Sequence, residues 1–191
     1  CRAAFCVPSL RARRCLNMRV WKGLSKGTAI GMEISVEQAS AQWFLRNGNG
    51  NPEQVDIKFW EYMVRSRYGA NWARNKFKKI GGNASGGELS KRYTEPVWCF
   101  TRHGRTVTPL KDGRIIYTGG EHEDWYDSDF CIYNDVIVEH PNGEIEIYIY
   151  PDGIYPPTDF HSATLVGSDL YLIGSLGYNE LRRPGETQVL K

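Results

Sequence analysis

Short motifs of known chemistry are almost absent from this chain. None of its five cysteines (Cys1, Cys6, Cys15, Cys99, Cys131) forms a C-x-x-C pair, and their number is odd. That excludes zinc-finger spacing and a dense disulfide framework. Cys99 and Cys131 each stand beside apolar or aromatic residues. They read as small buried hydrophobes in a reducing compartment, which makes the cytoplasm the expected location. No apolar run approaches the ~18 residues that a membrane-spanning helix needs, so no membrane partner is expected. The first 30 residues lack a continuous apolar core, so no secretory signal is expected in them. The sequon Asn83-Ala84-Ser85 would matter only in a secreted protein. No Gly-Lys-Ser/Thr follows the glycine run at 81–87, and no nucleophile elbow, His-Glu-x-x-His or paired-glycine dinucleotide motif occurs. No catalytic residue, metal or cofactor is therefore expected.

Charge is present but unevenly spread. Residues 1–35 hold seven basic residues and one acid, Glu33, whereas residues 96–191 hold seven basic and fifteen acidic ones. A basic front and an acidic back are differently built regions. The arginine-rich front, 1–34, reads as a basic leader, disordered or not native to the folded unit. An organelle transit peptide is the alternative. The aromatic-rich back has the wrong sign for phosphate, so nucleic acid is not an expected partner.

Apolar spacing then divides the rest. Val36, Ala39, Trp43 and Phe44 recur at helical intervals over 36–46, with Ser35 and Gln38 placed as a capping box. The run Asn47 to Pro52 stops that helix. Phe59, Trp60, Met63 and Val64 make the stripe of a second helix over 53–67, and Trp72, Ala73 and Phe77 continue it to Lys79 after Gly69. Residues 35–80 form a helical segment in this reading, and 81–95 form a glycine-rich linker. From Val97 the texture is short strands and turns. Strands are expected at 106–108, 114–118, 131–138 and 144–150, with hairpin turns at Lys111-Asp112-Gly113 and Pro141-Asn142-Gly143. Four strands at this spacing make one antiparallel sheet. A second unit follows, with strands at 160–166, 170–173 and 187–191 around the turn Gly167-Ser168-Asp169.

The two units repeat. His103 aligns with His161 at an offset of 58, and Gly119-Gly120 aligns with Gly174-Ser175 at an offset of 55. His161-Ser162-Ala163, a hairpin, Leu170-Tyr171-Leu172-Ile173, Gly119-Gly120 and Tyr133-Asn134-Asp135-Val136 occur in an order that resembles the kelch repeat. Gly174-Ser175 departs from a full diglycine, and tyrosines (Tyr148, Tyr150) stand where the late tryptophan is expected. The resemblance implies a mainly β fold with an N-terminal helical segment: a partial kelch-type β-propeller of antiparallel four-stranded sheets, about two blades at 96–155 and 156–191, the second incomplete. It also implies structural roles for Gly119, Gly120, Tyr133, His161 and Gly174. Propellers close with about four to eight blades, so the remaining blades of a parent chain, or an assembly partner, are expected.

The most unusual stretch is residues 120–129. Glu121, His122, Glu123, Asp124, Trp125, Asp127 and Asp129 place five carboxylates and an imidazole in one loop. A solvated structural loop, partner recognition and a metal site are all open for it. The spacing does not fit an EF-hand. Asp159 and His161 read as a turn cap and a structural hydrogen-bonding residue, with an acid/base pair as the sharper alternative. What the resemblance implies for function is a non-catalytic interaction scaffold. Its blade-end loops bind a protein or peptide, with Glu121, His122, Asp124 and Trp125 exposed to it. The alternative is a truncated propeller enzyme or a carbohydrate-binding propeller of the galactose-oxidase-like type.

Overall fold

The computed structural model describes residues 32–81, 89–122, 130–174, 177–181 and 187–190. The first 31 residues of the expected basic leader, residues 82–88 of the linker and Arg182-Arg183, which the sequence places in an exposed loop, lie outside them; Met32 and Ile34, at the end of the expected leader, pack against the core.

The first helix, α1 (Val36–Gln42), starts as the sequence predicts. The Ser35 hydroxyl accepts from the Gln38 amide at 3.2 Å, and Gln38 Oε1 accepts from the Ser35 amide at 3.1 Å. This is a reciprocal capping box. The helix ends at Gln42, short of the expected Arg46, because Phe44 leaves it to bridge Val97. The expected second helix divides. Glu53–Val55 is a strand, β1, paired with Ile147 to Ile149, and α2 covers only Lys58–Ser66. A bare strand edge offers a ladder of backbone partners, and that edge outcompetes helix at 53–55. Gln42 Oε1 accepts from the Phe59 amide at 3.0 Å, so the end of α1 satisfies an orphan donor at the start of α2. Arg67 closes α2 in the left-handed region at φ 59°, its amide donating to Met63 O. After Gly69, α3 runs Ala70–Phe77.

The rest is mainly β. β2 (Thr106–Pro109), β3 (Ile115–Thr118), β6 (Val136–Glu139) and β7 (Ile145–Ile149) form the expected antiparallel sheet, and β1 extends it to five strands in the order β1-β7-β6-β3-β2. The expected strand at 131–138 divides. β5 (Cys131–Ile132) pairs with β4 (Glu121–His122), and Asn134 and Asp135 interrupt the ladder before β6. The two hairpin turns are copies of each other. The Leu110 amide donates to Arg114 O at 2.8 Å, and the His140 amide donates to Glu144 O at 2.9 Å. Gly113 and Gly143 take φ 91° and 86°, a left-handed position that glycine fills without strain. β8 (Ser162–Val166), β9 (Asp169–Ile173) and β10 (Thr187–Leu190) make a second antiparallel sheet, in the order β10-β9-β8.

Strand alternation gives the five-stranded sheet two apolar faces. Ile137, Ile147 and Ile149 pack with Phe59, Trp60, Met63 and Val64 of α2. Trp60 stacks on Trp98 at 4.7 Å with the rings 4° from parallel. On the opposite face, Val136, Val138 and Tyr150 pack with Tyr155 and with Leu170 and Leu172 of the second unit. The layers are therefore helices, sheet, sheet.

The register refines the repeat. Thr118 precedes Gly119 and pairs with Thr106, while Ile173 precedes Gly174 and pairs with Ser162. Thr106 thus corresponds to Ser162, an offset of 56, so His103 and His161 stand out of step although the glycines match.

Candidate functional site

The centre of the molecule is polar. Asp135 is buried between the two sheets and the helices. It accepts from Trp98 Nε1 at 2.7 Å and from Arg102 Nη2 at 2.9 Å, and Arg102 Nη1 completes a bidentate pair. Arg102 also donates to Cys99 O at 2.8 Å and Gly119 O at 3.2 Å, with its guanidinium 3.4 Å from the centre of the Tyr133 ring. Burial opposes the Arg102 charge, but Asp135 outweighs it and holds the guanidinium protonated above the ordinary arginine value. A bidentate, stacked, desolvated arginine is a geometric clamp. It ties the entry of β2, the end of β3 and the start of β6 to one carboxylate.

Asn134 does the same one residue earlier. Its amide nitrogen donates to Tyr155 O at 2.7 Å and Tyr150 O at 3.2 Å, and its oxygen accepts from Arg92 Nη2 at 2.6 Å. Arg92 is 2% exposed and pairs with Asp152 at 2.6 Å. The linker reading of 81–95 is therefore incomplete. Leu89–Lys91 is a 3-10 turn that delivers a buried arginine.

The connector into the second unit docks on the glycine pair. The Gly120 amide donates to Thr158 O at 2.8 Å, and the Phe160 amide donates to Gly104 O at 2.8 Å. Gly119 and Gly120 take φ 56° and 91°, and a Cβ on Gly119 would lie 2.2 Å from Thr158 O. Gly174 shares the positive φ, at 81°, but a Cβ there would meet nothing within 4 Å among the described residues. His161 Nε2 lies 2.9 Å from Thr118 Oγ1 and 3.2 Å from Thr106 Oγ1, which joins the second unit to β3 and to the edge strand β2 of the first. Asp159 accepts from the Gly177 amide at 2.6 Å, so it holds a turn.

Burial lowers the His161 pKa to about 4, with Asp159 pulling the other way. Between the unfolded value near 6.5 and that folded value, the unfolded chain binds a proton that the folded chain does not. The stability of the neutral His161 site is thus fully present above about pH 6.5 and falls as pH drops toward 4. Urea midpoints taken from pH 7 to pH 4 should decline in the wild type, and His161→Gln should flatten that decline. Parallel slopes for the two proteins would contradict this.

The acidic loop springs from this centre. Glu121 and His122 form β4, with Glu121 and His103 exchanging backbone hydrogen bonds at 2.8 and 2.9 Å. Both side chains are buried, against the expectation that they face a partner. They pair with Ile132 and Cys131 of β5. Glu123, Asp124, Trp125, Asp127 and Asp129 lie outside the described residues. Next to the loop base, the Ile132 amide donates to Tyr178 Oη at 3.0 Å, and Phe130 meets the Tyr178 ring edge-on. Tyr178, after β9, therefore packs against the residues at the start of β5.

Tyr133 and the thiols of Cys99 and Cys131 share a buried cluster. Burial raises all three, Cys131 to about 12, so each keeps its proton. Both cysteines are free, as the sequence predicts. Among the described residues no group of three or more His, Cys, Asp or Glu side chains could hold a metal, and no helix is long and apolar enough to cross a membrane. A cleft of about 670 Å³ separates β3, β6 and β7 from the β8–β9 turn. Its lining mixes Ile116, Val138 and Leu165 with Arg114, Asp112 and Glu146.

The sequence signal for Arg102, Trp98 and Arg92 was weak: nothing in their local spacing separates a buried arginine from a surface one. Asp135 was more visible, as an acid placed between Tyr133 and Val136 in a strand-like run. Comparison with family models, with curated proteins and with solved structures finds no match to this chain.

Proposed function

We propose that this chain is part of a kelch-type repeat domain that serves as a non-catalytic scaffold for a protein or peptide partner. The acidic loop 123–129 is its contact region, and a basic peptide is its target. The observation that supports this most is that the residues following the loop, Phe130 and Ile132, meet Tyr178 of the second unit, beside a buried clamp. Binding residues presented by loops on a rigid frame are the ordinary arrangement for recognition. Four acids in seven residues, Glu123, Asp124, Asp127 and Asp129, favour Lys- and Arg-rich segments, and Trp125 and Tyr126 add aromatic anchors. Glycines at the end of β3, the Asn134-Asp135 pair and His161 fit the kelch order of parts, each with a physical task. The domain would then use its buried ionisable groups for architecture rather than for reaction.

The test is binding of an Arg- and Lys-rich peptide to the wild type and to the double variant Glu123→Lys/Asp124→Lys, by fluorescence anisotropy at two salt concentrations. Affinity should fall at least about tenfold in the variant and weaken with salt in the wild type. Equal affinity for both proteins would remove the proposal.

A further inference from the structure

We propose that the cleft between the first sheet and the β8–β9 hairpin is a binding site for a small amphipathic carboxylate. Its hydrocarbon body lies between the two sheets, and its carboxylate meets Lys111. The site is independent of the acidic loop.

Strand register makes the cleft. Ile116 of β3, Val138 of β6 and Glu146 of β7 stand opposite one another in one row across the first sheet. Thr118, Val136 and Tyr148 make the next row. At that second row the second unit closes on the sheet. Thr118 bonds His161, and Val136 is buried in the core it shares with Leu170 and Leu172. At the Ile116 row the roof is only the end of a hairpin, where β8 and β9 turn through Gly167 and Ser168. Leu165 shows the result. It pairs with Leu170 across that hairpin, so both side chains project toward the first sheet. Leu170 is 3% exposed, whereas Leu165 is 40% exposed. Both line the cleft, whose volume of about 670 Å³ falls within the range of roughly 300–1,000 Å³ for small-molecule sites. A leucine directed inward yet open to water is apolar surface that a ligand's hydrocarbon would cover.

Charge selects the other end of the ligand. Among the described residues, the charged side chains lining the cleft are Lys111, Asp112, Arg114 and Glu146. Three of them are committed. Arg114 pairs with Asp112 at 2.8 Å, and His140 Nε2 lies 3.1 Å from Glu146 Oε2. Lys111 is exposed in the β2–β3 turn and makes no ion pair or side-chain hydrogen bond among the described residues. The uncompensated charge is thus an ammonium at the rim, and its complement is an anion. Glu146 stands in the apolar row itself and repels a carboxylate from the floor. The ligand is therefore oriented, with its acid toward Lys111 and its hydrocarbon toward Val138 and Leu170. An inorganic anion would leave the apolar floor unused, and a cationic amphiphile would meet Lys111 with like charge.

The test titrates the full chain, isotope-labelled in its Ile, Leu and Val methyls, with octanoate and, separately, with octylammonium. Octanoate should shift the methyls of Ile116, Val138, Leu165 and Leu170 and leave those of Ile137 and Ile147, on the helix side, in place. Octylammonium should bind at least about fivefold more weakly. Lys111→Glu should weaken octanoate by at least about fivefold, since it removes an attraction and adds a repulsion. Lys111→Arg should keep the affinity. The methyl spectra of both free variants should superpose on the wild type, because Lys111 is an exposed turn residue. Cleft methyls that do not move overturn the inference, and so does octanoate binding that Lys111→Glu leaves unchanged. Peptide capture by the acidic loop is measured apart from this, so its failure counts against the scaffold proposal and not against the cleft.

Discussion

Asp135→Ala should destabilise the folded chain by about 3–5 kcal/mol, the cost of leaving one member of a buried ion pair uncompensated. The effect has three parts. Arg102 loses both oxygens that neutralise it while staying buried among Cys99 O, Gly119 O and the Tyr133 ring. Trp98 Nε1 loses its acceptor inside the core it shares with Trp60. The void where the carboxylate sat joins segments far apart in sequence, so no local shift refills it. A domain of this size is stable by roughly 5–15 kcal/mol in total, so the variant should be largely unfolded at elevated temperature. Urea unfolding monitored by tryptophan fluorescence gives the value. Removing both charges, as Arg102→Met/Asp135→Leu, should cost less than Asp135→Ala alone, since the desolvated charge leaves with its partner. A double variant that is no better than the single one would show that the ion pair is not the source of the loss.

Gly119→Val is the second large effect. The residue sits at φ 56°, where a β-branched side chain is strained by about 1–3 kcal/mol. Its new Cβ would also fall 2.2 Å from Thr158 O, a backbone atom of the connector. Backbone cannot step aside as a side-chain tip can, so the connector must move, and the Gly120 amide loses Thr158 O with it. The combined cost is about 3 kcal/mol or more, with overpacking added to strain. Gly174→Val gives the contrast. It carries the φ penalty alone, because nothing among the described residues stands within 4 Å of its Cβ position. Thermal midpoints should therefore drop much further for Gly119→Val than for Gly174→Val. Equal drops would mean that backbone strain, and not docking of the second unit, decides the need for glycine.

Much of the strand architecture was legible because its signals are local. Asp112-Gly113 and Asn142-Gly143 fix their turns through a left-handed glycine and an Asx hydrogen bond, and both appear at the expected places. Ser35 and Gln38 announce the start of α1 in the same way. The misreadings came where a distant partner decides. Residues 53–55 carry a helix-compatible pattern, yet the edge of β7 draws them into a ladder. Cys131 to Val138 read as one strand, yet Asn134 and Asp135 satisfy Arg92, Arg102 and Trp98, and no spacing rule foretells those partners. Glu121 and His122 looked like part of an open acidic loop. They pair with Ile132 and Cys131 and are buried. The histidine match at an offset of 58 was misleading for a related reason. His103 and His161 lie outside the strands that set the register, and the paired positions Thr106–Thr118 and Ser162–Ile173 align instead.

The central claim is that the second strand unit lies face to face on the first. Methyl–methyl contacts measured by nuclear Overhauser spectroscopy on the isotope-labelled chain test it most directly. Leu170 and Leu172 should show cross-peaks to Val136 and Val138, and none to Ile137 or Ile147 on the helix side. Cross-peaks from the leucines to the helix-side isoleucines, or leucine methyls that contact neither set, would contradict the account.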